Sequence, residues 1–501
     1  MKFWGKNDST TEKTEPSIEL TSHHFQKNIT RIRELMSDTE DLIIKELIFN
    51  GQLCCLMYLE TMVEEEQINE KIIGPILKEV TGSIEQIVSS IQLLKASVMF
   101  EVIDGLITGH CLILEGNKAV IYMAPVSKTE GRSIEEPVNE KTIKGSHEGF
   151  TESLQTNLYL IRKRMKNQLI KVKYFTIGSI SNRRLALTYL DSLTNQNIIM
   201  EIEKRISSIK VDKLASSGAF QELIEDNTFS PFPQILLTER PDRVTSYLNE
   251  GKVIIVVDGD PRVLILPITF FAFYQSPDDY ESRWMIASFF RLIRMMSFLI
   301  AISFPAIYIA IVSFHSEVLP LGILYSVKVG VQYVPFPPFL EAVVMQIILE
   351  LLKEASIRLP SSVAQTIGIV GGLVIGTAVV QANIVSNTMI VVIGFTAIAS
   401  FVVPIEEMGT SVRLLGFPMM VAAALFGFFG IVFTYMVIFI HLSKLETFGT
   451  PYFAPLSPLK LSELKDSVIR LPFWMFKNRP TDSKPKFVKQ QWNSRVWKKN
   501  E

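Results

Sequence analysis

LPSSVAQTIGIVGGLVIGTAVVQANIVSNTMIVVIGFTAIASFVVPI, residues 359–405, runs for 47 residues without a formal charge. One helical crossing of a bilayer takes about 20 residues, so the run is long enough for two. The averages over all 501 residues hide this: 48% hydrophobic, 20% charged and a net charge of −1 look ordinary. Residues 1–280 are as charged as a soluble protein. The chain therefore reads as an α/β cytoplasmic N-terminal region of two subdomains, followed by an all-α polytopic membrane domain.

The N-terminus, MKFWGKNDSTTEKTEPS, has no apolar core after its first lysine. That is no signal peptide, and the soluble half is expected in the cytoplasm. Three cysteines, Cys54, Cys55 and Cys111, give neither a disulfide framework nor metal spacing. Such cysteines behave as small buried hydrophobes.

Residues 1–30 are polar and read as a disordered tail. Residues 31–130 form a first subdomain. DLIIKELIF, EKIIGPILKEV and SIEQIVSSIQLL have helical spacing, and ASVMFEVID, GHCLILE and KAVIYMA are β-rich, the last two joined at Gly116-Asn117. A polar linker leads to a second subdomain over 145–270. Its helices are TESLQTNLYLIRKRMK, QNIIMEIEKRISSI, GAFQELIED and PDRVTSYLNEG, and its strands LIKVKYFTIG, RLALTYL and KVIIVVDGD. It holds no phosphate-binding GxxxxGK[ST] loop, no GxSxG and no HExxH, and the six histidines do not cluster with ligands. The basic run Arg162, Lys163, Arg164, Lys166, Lys171 and Lys173 fits a solvated face better than a phosphate site, because the domain is not strongly basic. No enzyme, cofactor, metal site or nucleic-acid partner is expected.

The membrane domain, 284–441, has apolar stretches near 295–314, 363–381, 384–403 and 414–440. Arg283, Arg291 and Arg294 precede the first, and the basic tail 442–501 follows the last, whereas 315–358 and 404–413 are acidic. The positive-inside rule then puts both ends in the cytoplasm with an even number of crossings. Four fit, leaving PFPPFLEAVVMQIILELLKEASIRLP (335–360) over as an amphipathic or re-entrant helix at 338–358. Six fit if VLPLGILYSV (318–327) and that helix both cross. On it Gln346, Glu350, Lys353, Glu354 and Arg358 share an arc of roughly 140°, and Glu341 lies on the apolar side near the start. Two readings stand: a helix flat on the outer leaflet, or one lining water inside an oligomer. In the next span Gly368, Gly372 and Gly376 are four apart, with Gly371 beside them, and Gln365 is one of several uncharged polar residues. Glycines at that spacing permit close helix approach and are the candidate packing or gate positions.

The chain resembles the A subunit of the GerA-type spore germination receptors of endospore formers. The resemblance is carried by ELIEDNTFSPFPQ (222–234), TERPDRV (238–244), QSPDDYESRW (275–284), VPFPPFLEA (334–342), IRLP (357–360), QTIGIVGGLVIG (365–376), VQANIVS (380–386) and FGTPYFAP (448–455). Its motif residues are Pro231, Phe232, Pro233, Gln234, Glu239, Arg240, Pro241, Asp242, Pro277, Asp278, Asp279, Pro335, Pro337 and Pro338. It implies a receptor in the spore inner membrane, with a transporter-like B subunit, a lipoprotein C subunit and a ring of A subunits that releases cations. It defines no catalytic residues. On that footing Gln346, Glu350, Glu354 and Gln365 are the candidate ion pathway, with Glu350 and Glu354 flanking an outer entrance. A non-conducting scaffold or signal relay, a sporulation-expressed paralogue that amplifies germination, and a secondary transporter are the alternatives. A transporter would carry internal inverted repeats, and no repeat is visible in the sequence.

Overall fold

The computed structural model describes residues 19–78, 82–116, 118–128, 136–137, 139–142, 144–360, 363, 372, 374, 376–492, 495 and 497. Asn50 and Gly51 both take positive φ, 52° and 70°, as a tight two-residue hairpin turn demands. They join β1 (Leu42–Phe49) to β2 (Gln52–Leu59) in an antiparallel ladder running from Leu42↔Leu59 to Phe49↔Gln52. DLIIKELIF, expected as a helix, is thus a strand. The Asn-Gly turn and the partner strand override its local spacing. The opposite correction applies to ASVMFEVID, whose last part is helix α2 (Met99–Ile107), following α1 (Phe25–Leu35) in the chain. Val102, Ile103 and Leu106 bury one face of α2 against Ile29 and Ile32 of α1. Residues 19–30 are accordingly not all tail: Thr21 donates its N–H to the Ser97 carbonyl at 3.0 Å.

With β3 (Leu94–Ala96), β4 (His110–Glu115) and β5 (Ile121–Pro125) the first sheet has the order β1-β2-β4-β5-β3. The second subdomain places α3 (Leu154–Arg164) before β6 (Ile170–Ile177) and β7 (Arg183–Leu190). Helices α4 (Gln196–Ser208) and α5 (Ser217–Ile224) follow, then β8 (Leu236–Thr238), α6 (Pro241–Asn249), β9 (Val253–Val257) and β10 (Val263–Leu266). Its order, β6-β7-β9-β10-β8, is the first sheet's order repeated. The α/β half is a duplicated topology, which the sequence did not betray.

The two copies differ in what seals one corner. In the first, Gly109 sits at φ +88° against Met62 and Ser127, and Lys128 donates to the Met62 carbonyl at 2.9 Å. In the second, Gly251 at φ +84° meets Leu193 and Pro485, and Lys486 donates to the Leu193 carbonyl at 2.8 Å. Residues 126–128 directly follow β5, whereas 485–486 come after the whole membrane domain. The helical bundle is therefore an insertion in the second repeat, and the expected basic tail is partly a structural member of that repeat. Asp482 meets Lys252, which is 3% exposed, at 3.1 Å.

Arg162 pins the copies together. Instead of joining a solvated basic face it is 2% exposed, and its Nε and Nη2 donate to Asp41 at 2.7 and 2.8 Å. Thr39 and Thr61 hydroxyls also donate to that carboxylate. A buried pair of this kind contributes little when whole and costs much when broken, because the survivor keeps its charge without water.

In the bundle, α7 (Trp284–Ser313) leaves the α/β region, α8 (Leu321–Gln332) follows, and α9 (Pro338–Arg358), α10 (Asn387–Phe401), α11 (Glu406–Phe426) and α12 (Phe428–Lys444) complete the described helices of twelve or more residues. Two of them, α7 and α11, are long and apolar enough to cross a membrane. The single span expected over 414–440 is a helical hairpin split at Gly427, whose φ of +58° and ψ of −138° suit glycine. A Cβ on Gly430 would run into the Ala422 carbonyl, so glycine also lets α12 fold back on α11.

Arg162→Leu should lower the stability of the purified chain by about 3–5 kcal/mol in chemical denaturation, because Asp41 is left buried and unpaired. A chain ended at Pro480 loses Asp482 and should unfold at lower temperature, and Lys252→Leu in that shortened chain should recover part of the loss.

Candidate functional site

Two ends of the bundle can be told apart by contacts. At the near end, Glu407 lies beside Arg262 and Gln221 of the α/β region, and His441 is 2.9 Å from Ser230. At the far end, Tyr308 and Ser386 hydroxyls are 3.2 Å apart, and His315 stacks on Phe428. The loop at 404–413, expected outside, therefore lies with the α/β half.

Helix α9 runs the full height between these ends, about 31 Å for its 21 residues. It is not a helix left over at one surface. Pro337 caps it and Pro338 opens it, where a missing N–H costs nothing. At the far end Glu341, 1% exposed, accepts the Ser386 N–H at 2.9 Å. Ser386 is the N-cap of α10, and its hydroxyl accepts from Met389 N. A carboxylate there meets the positive end of the α10 dipole. Midway, Glu350 Oε1 stands 2.8 Å from Arg413 Nε, whose side chain is 5% exposed. The N–H does not point along that line, so the contact is one of charge. Arg413 Nη2 donates to Thr410, and Gln346 Nε2 to Glu350 at 3.4 Å. Toward the near end Lys353 lies 3.4 Å from Glu406, and Glu354 holds Arg358 on the exposed side. The result is a polar seam through an apolar bundle. Glu341 Oε1 and Gln346 Oε1 find no hydrogen-bond partner among the described residues.

The seam brings Gln346 and Glu350 together, as the shared arc implies, but adds Arg413, Glu341, Ser386 and Tyr308. Arg413 closes the segment 404–413 read as acidic, directly before the apolar stretch 414–440. Glu341 was assigned to the apolar side; it is buried together with Ala342, Met345 and Gln346, whereas Val344 and Leu351 of that side are exposed. The outer entrance expected at Glu350 and Glu354 is corrected: Glu350 is engaged at mid-height and Glu354 lies near the α/β end. Gln365, Gly368 and Gly371 lie outside the described residues. A Cβ at Gly372 or Gly376 would meet nothing within 4 Å among the described residues.

Apart from the prolines that open α9, the motif residues lie at or near the joint between the α/β region and the bundle. Asp279, buried, accepts from Arg291 at 3.3 Å and Arg294 at 2.8 Å, and Asp466 reaches Arg291 at 3.0 Å. Phe232 and the Phe270–Tyr274 turn form an aromatic knuckle, with Phe270 5.4 Å from both Phe298 and Phe453. Tyr452 donates to the Pro233 carbonyl at 2.7 Å, and Gln234 bonds Asn227 through both ends of its amide. Arg240 pairs with Asp242 and donates to the Glu140 and Ser146 carbonyls, while Glu239 takes Asn139. Asp278 accepts from Lys144 N. Pro241 and Pro277 sit at helix starts. These groups fasten the linker and seat the first bundle helix.

The chain belongs to the Bacillus/Clostridium GerA spore germination protein family, whose model matches residues 30–482. It is 37% identical to spore germination protein A1 of Bacillus subtilis, over 92% of this chain and 95% of that one. It is also 38% identical to the membrane protein YfkQ of Bacillus subtilis, over 92% and 91%. Among solved structures, the N-terminal domain of the A subunit of the Bacillus megaterium spore germinant receptor GerK3 aligns at 26% identity and a TM-score of 0.40, over 51% of this chain and 98% of that one.

A double-mutant cycle on Arg413→Leu and Glu350→Gln, read by unfolding of the detergent-purified chain, should give a coupling of about 0.5–3 kcal/mol. Additive effects would mean that the pair does not act as a unit.

Proposed function

We propose that the chain is the membrane subunit of a nutrient-responsive germination receptor, assembled with copies of itself around a gated cation path and performing no catalysis. It works with a transporter-like B subunit and a lipoprotein C subunit in the spore inner membrane. One observation carries this reading most: a Cβ on Gly372 or Gly376 would meet nothing within 4 Å among the described residues. Small residues that make no close contact inside one protomer suit packing between protomers around a narrow axis. The exposed Phe395, Ile398 and Phe401 of α10, and Phe429, Phe433 and Met436 of α12, are apolar surface for lipid or neighbouring subunits.

Six crossings fit this arrangement. Arg358 lies at the near end, beside Lys353 and its partner Glu406, and Ser386 at the far end, and an even number of crossings puts both ends of the bundle's chain on the α/β side. The unpartnered Glu341 and Gln346 oxygens are then the polar groups closest to a water path, because intramembrane polar groups face a bundle interior or an aqueous route. A scaffold or relay subunit is the second reading, favoured by the dense Asp279–Arg291–Asp466 joint.

Spores carrying Gly372→Leu, with all subunits confirmed by immunoblot, should lose nutrient-triggered potassium release or leak potassium constitutively. Normal release with the complex intact would give the scaffold reading precedence.

A further inference from the structure

Between α6, the Phe270–Tyr274 turn and the C-terminal segment lies a cavity of about 430 Å³. That is within the range of small-molecule sites. It lies apart from the polar seam and shares no residue with it. Six carboxylates reach it, Asp242, Glu250, Glu281, Glu463, Asp466 and Asp482, against four cations, Arg243, Lys252, Lys465 and Arg479. Three of those cations are already engaged, and so are Asp242 by Arg240, Glu463 by Lys460, Asp466 by Arg291 and Asp482 by Lys252, which leaves Glu281 and, 3.6 Å from Lys252, Glu250. Arg243 binds Glu140 at 2.8 Å and the Ala272 and Gln275 carbonyls. Lys252 is held by Asp482, and Arg479 donates to the Asn249, Phe487 and Lys489 carbonyls.

The remaining acidity is felt locally. Burial, with Asp482 and Asp466 nearby, pushes the Glu250 carboxyl up to about 7, and burial raises Asp466 as well. Much of the rest of the wall is aromatic, from Tyr247, Phe271, Tyr280, Phe473 and Phe476. These faces accept cations already: Lys252 stands 4.6 Å over Tyr247 and Arg470 4.4 Å over Phe473. Among the described residues no group of three His, Cys, Asp or Glu is placed to hold a metal ion. A compact metal would lack ligands there, whereas a diffuse organic charge would find both carboxylates and rings.

We propose that this cavity binds a small organic cation, a protonated amine or guanidine, with its charge toward Glu250 and its carbon chain on the rings. The proposal does not depend on whether the chain conducts ions. Asp466 also holds Arg291 at the start of α7, and one wall is the segment that completes the second repeat. An occupant therefore ties the C-terminal segment, the second repeat and the first bundle helix into one unit.

The test is thermal unfolding of the detergent-purified full chain with agmatine or choline, against potassium chloride at equal ionic strength. At least one organic cation should raise the midpoint saturably and beyond the salt. Glu250→Gln should weaken its apparent affinity roughly tenfold, and Lys465→Gln, which removes a competing rim charge, should strengthen it about threefold. No shift beyond salt with either cation overturns the proposal. So does a shift that neither substitution changes. Should Glu250→Gln fail to fold, the direction of the Lys465→Gln effect decides alone, and weakening or no change overturns the site.

Discussion

Two arginines at the start of the first bundle helix hold the molecule together. Arg291 and Arg294 would be costly where the chain passes from the α/β region into apolar surroundings, and buried Asp279 meets both while Asp466 meets Arg291. Asp279 precedes the helix in sequence and Asp466 lies in the C-terminal segment. A single charge cluster therefore fixes the bundle's entry, the α/β region's exit and the returning tail at once. The aromatic knuckle around Phe270 fills the space beside it, giving one continuous apolar core from the second sheet into the helices.

That joint makes sense of the duplicated topology. The first repeat closes its own corner with the residues that leave β5, whereas the second waits for 485–486. Inserting the bundle between β10 and that closing segment ties the chain that leaves α12 to the place where the second repeat is sealed.

Much of the second subdomain was legible because its elements are long and periodic: Gln196–Ser208 and Ile170–Ile177 both follow the pattern read from their residues. The first subdomain was less so. Leu42–Phe49 has spacing that fits a helix, and only the Asn50-Gly51 turn and the pairing with Gln52–Leu59 decide for a strand. Of the polar seam, the shared face of Gln346 and Glu350 could be read from helical periodicity. The engagement of Glu350 with Arg413, more than sixty residues away in sequence, could not.

The sequence by itself determined that a charged α/β region precedes a bundle with too little charge for water, and its ordered motifs determined the family. Composition and local periodicity carry that information, because burial in lipid or protein is set residue by residue. Tertiary structure alone decided that the α/β half is one topology used twice, that Gly427 folds an apparent span into a hairpin, and that the C-terminal segment completes a domain begun far earlier. Those outcomes depend on long-range contacts such as Arg162 with Asp41 and Lys486 with Leu193, and on a glycine's access to positive φ. No local pattern encodes a partner that the chain meets only after folding.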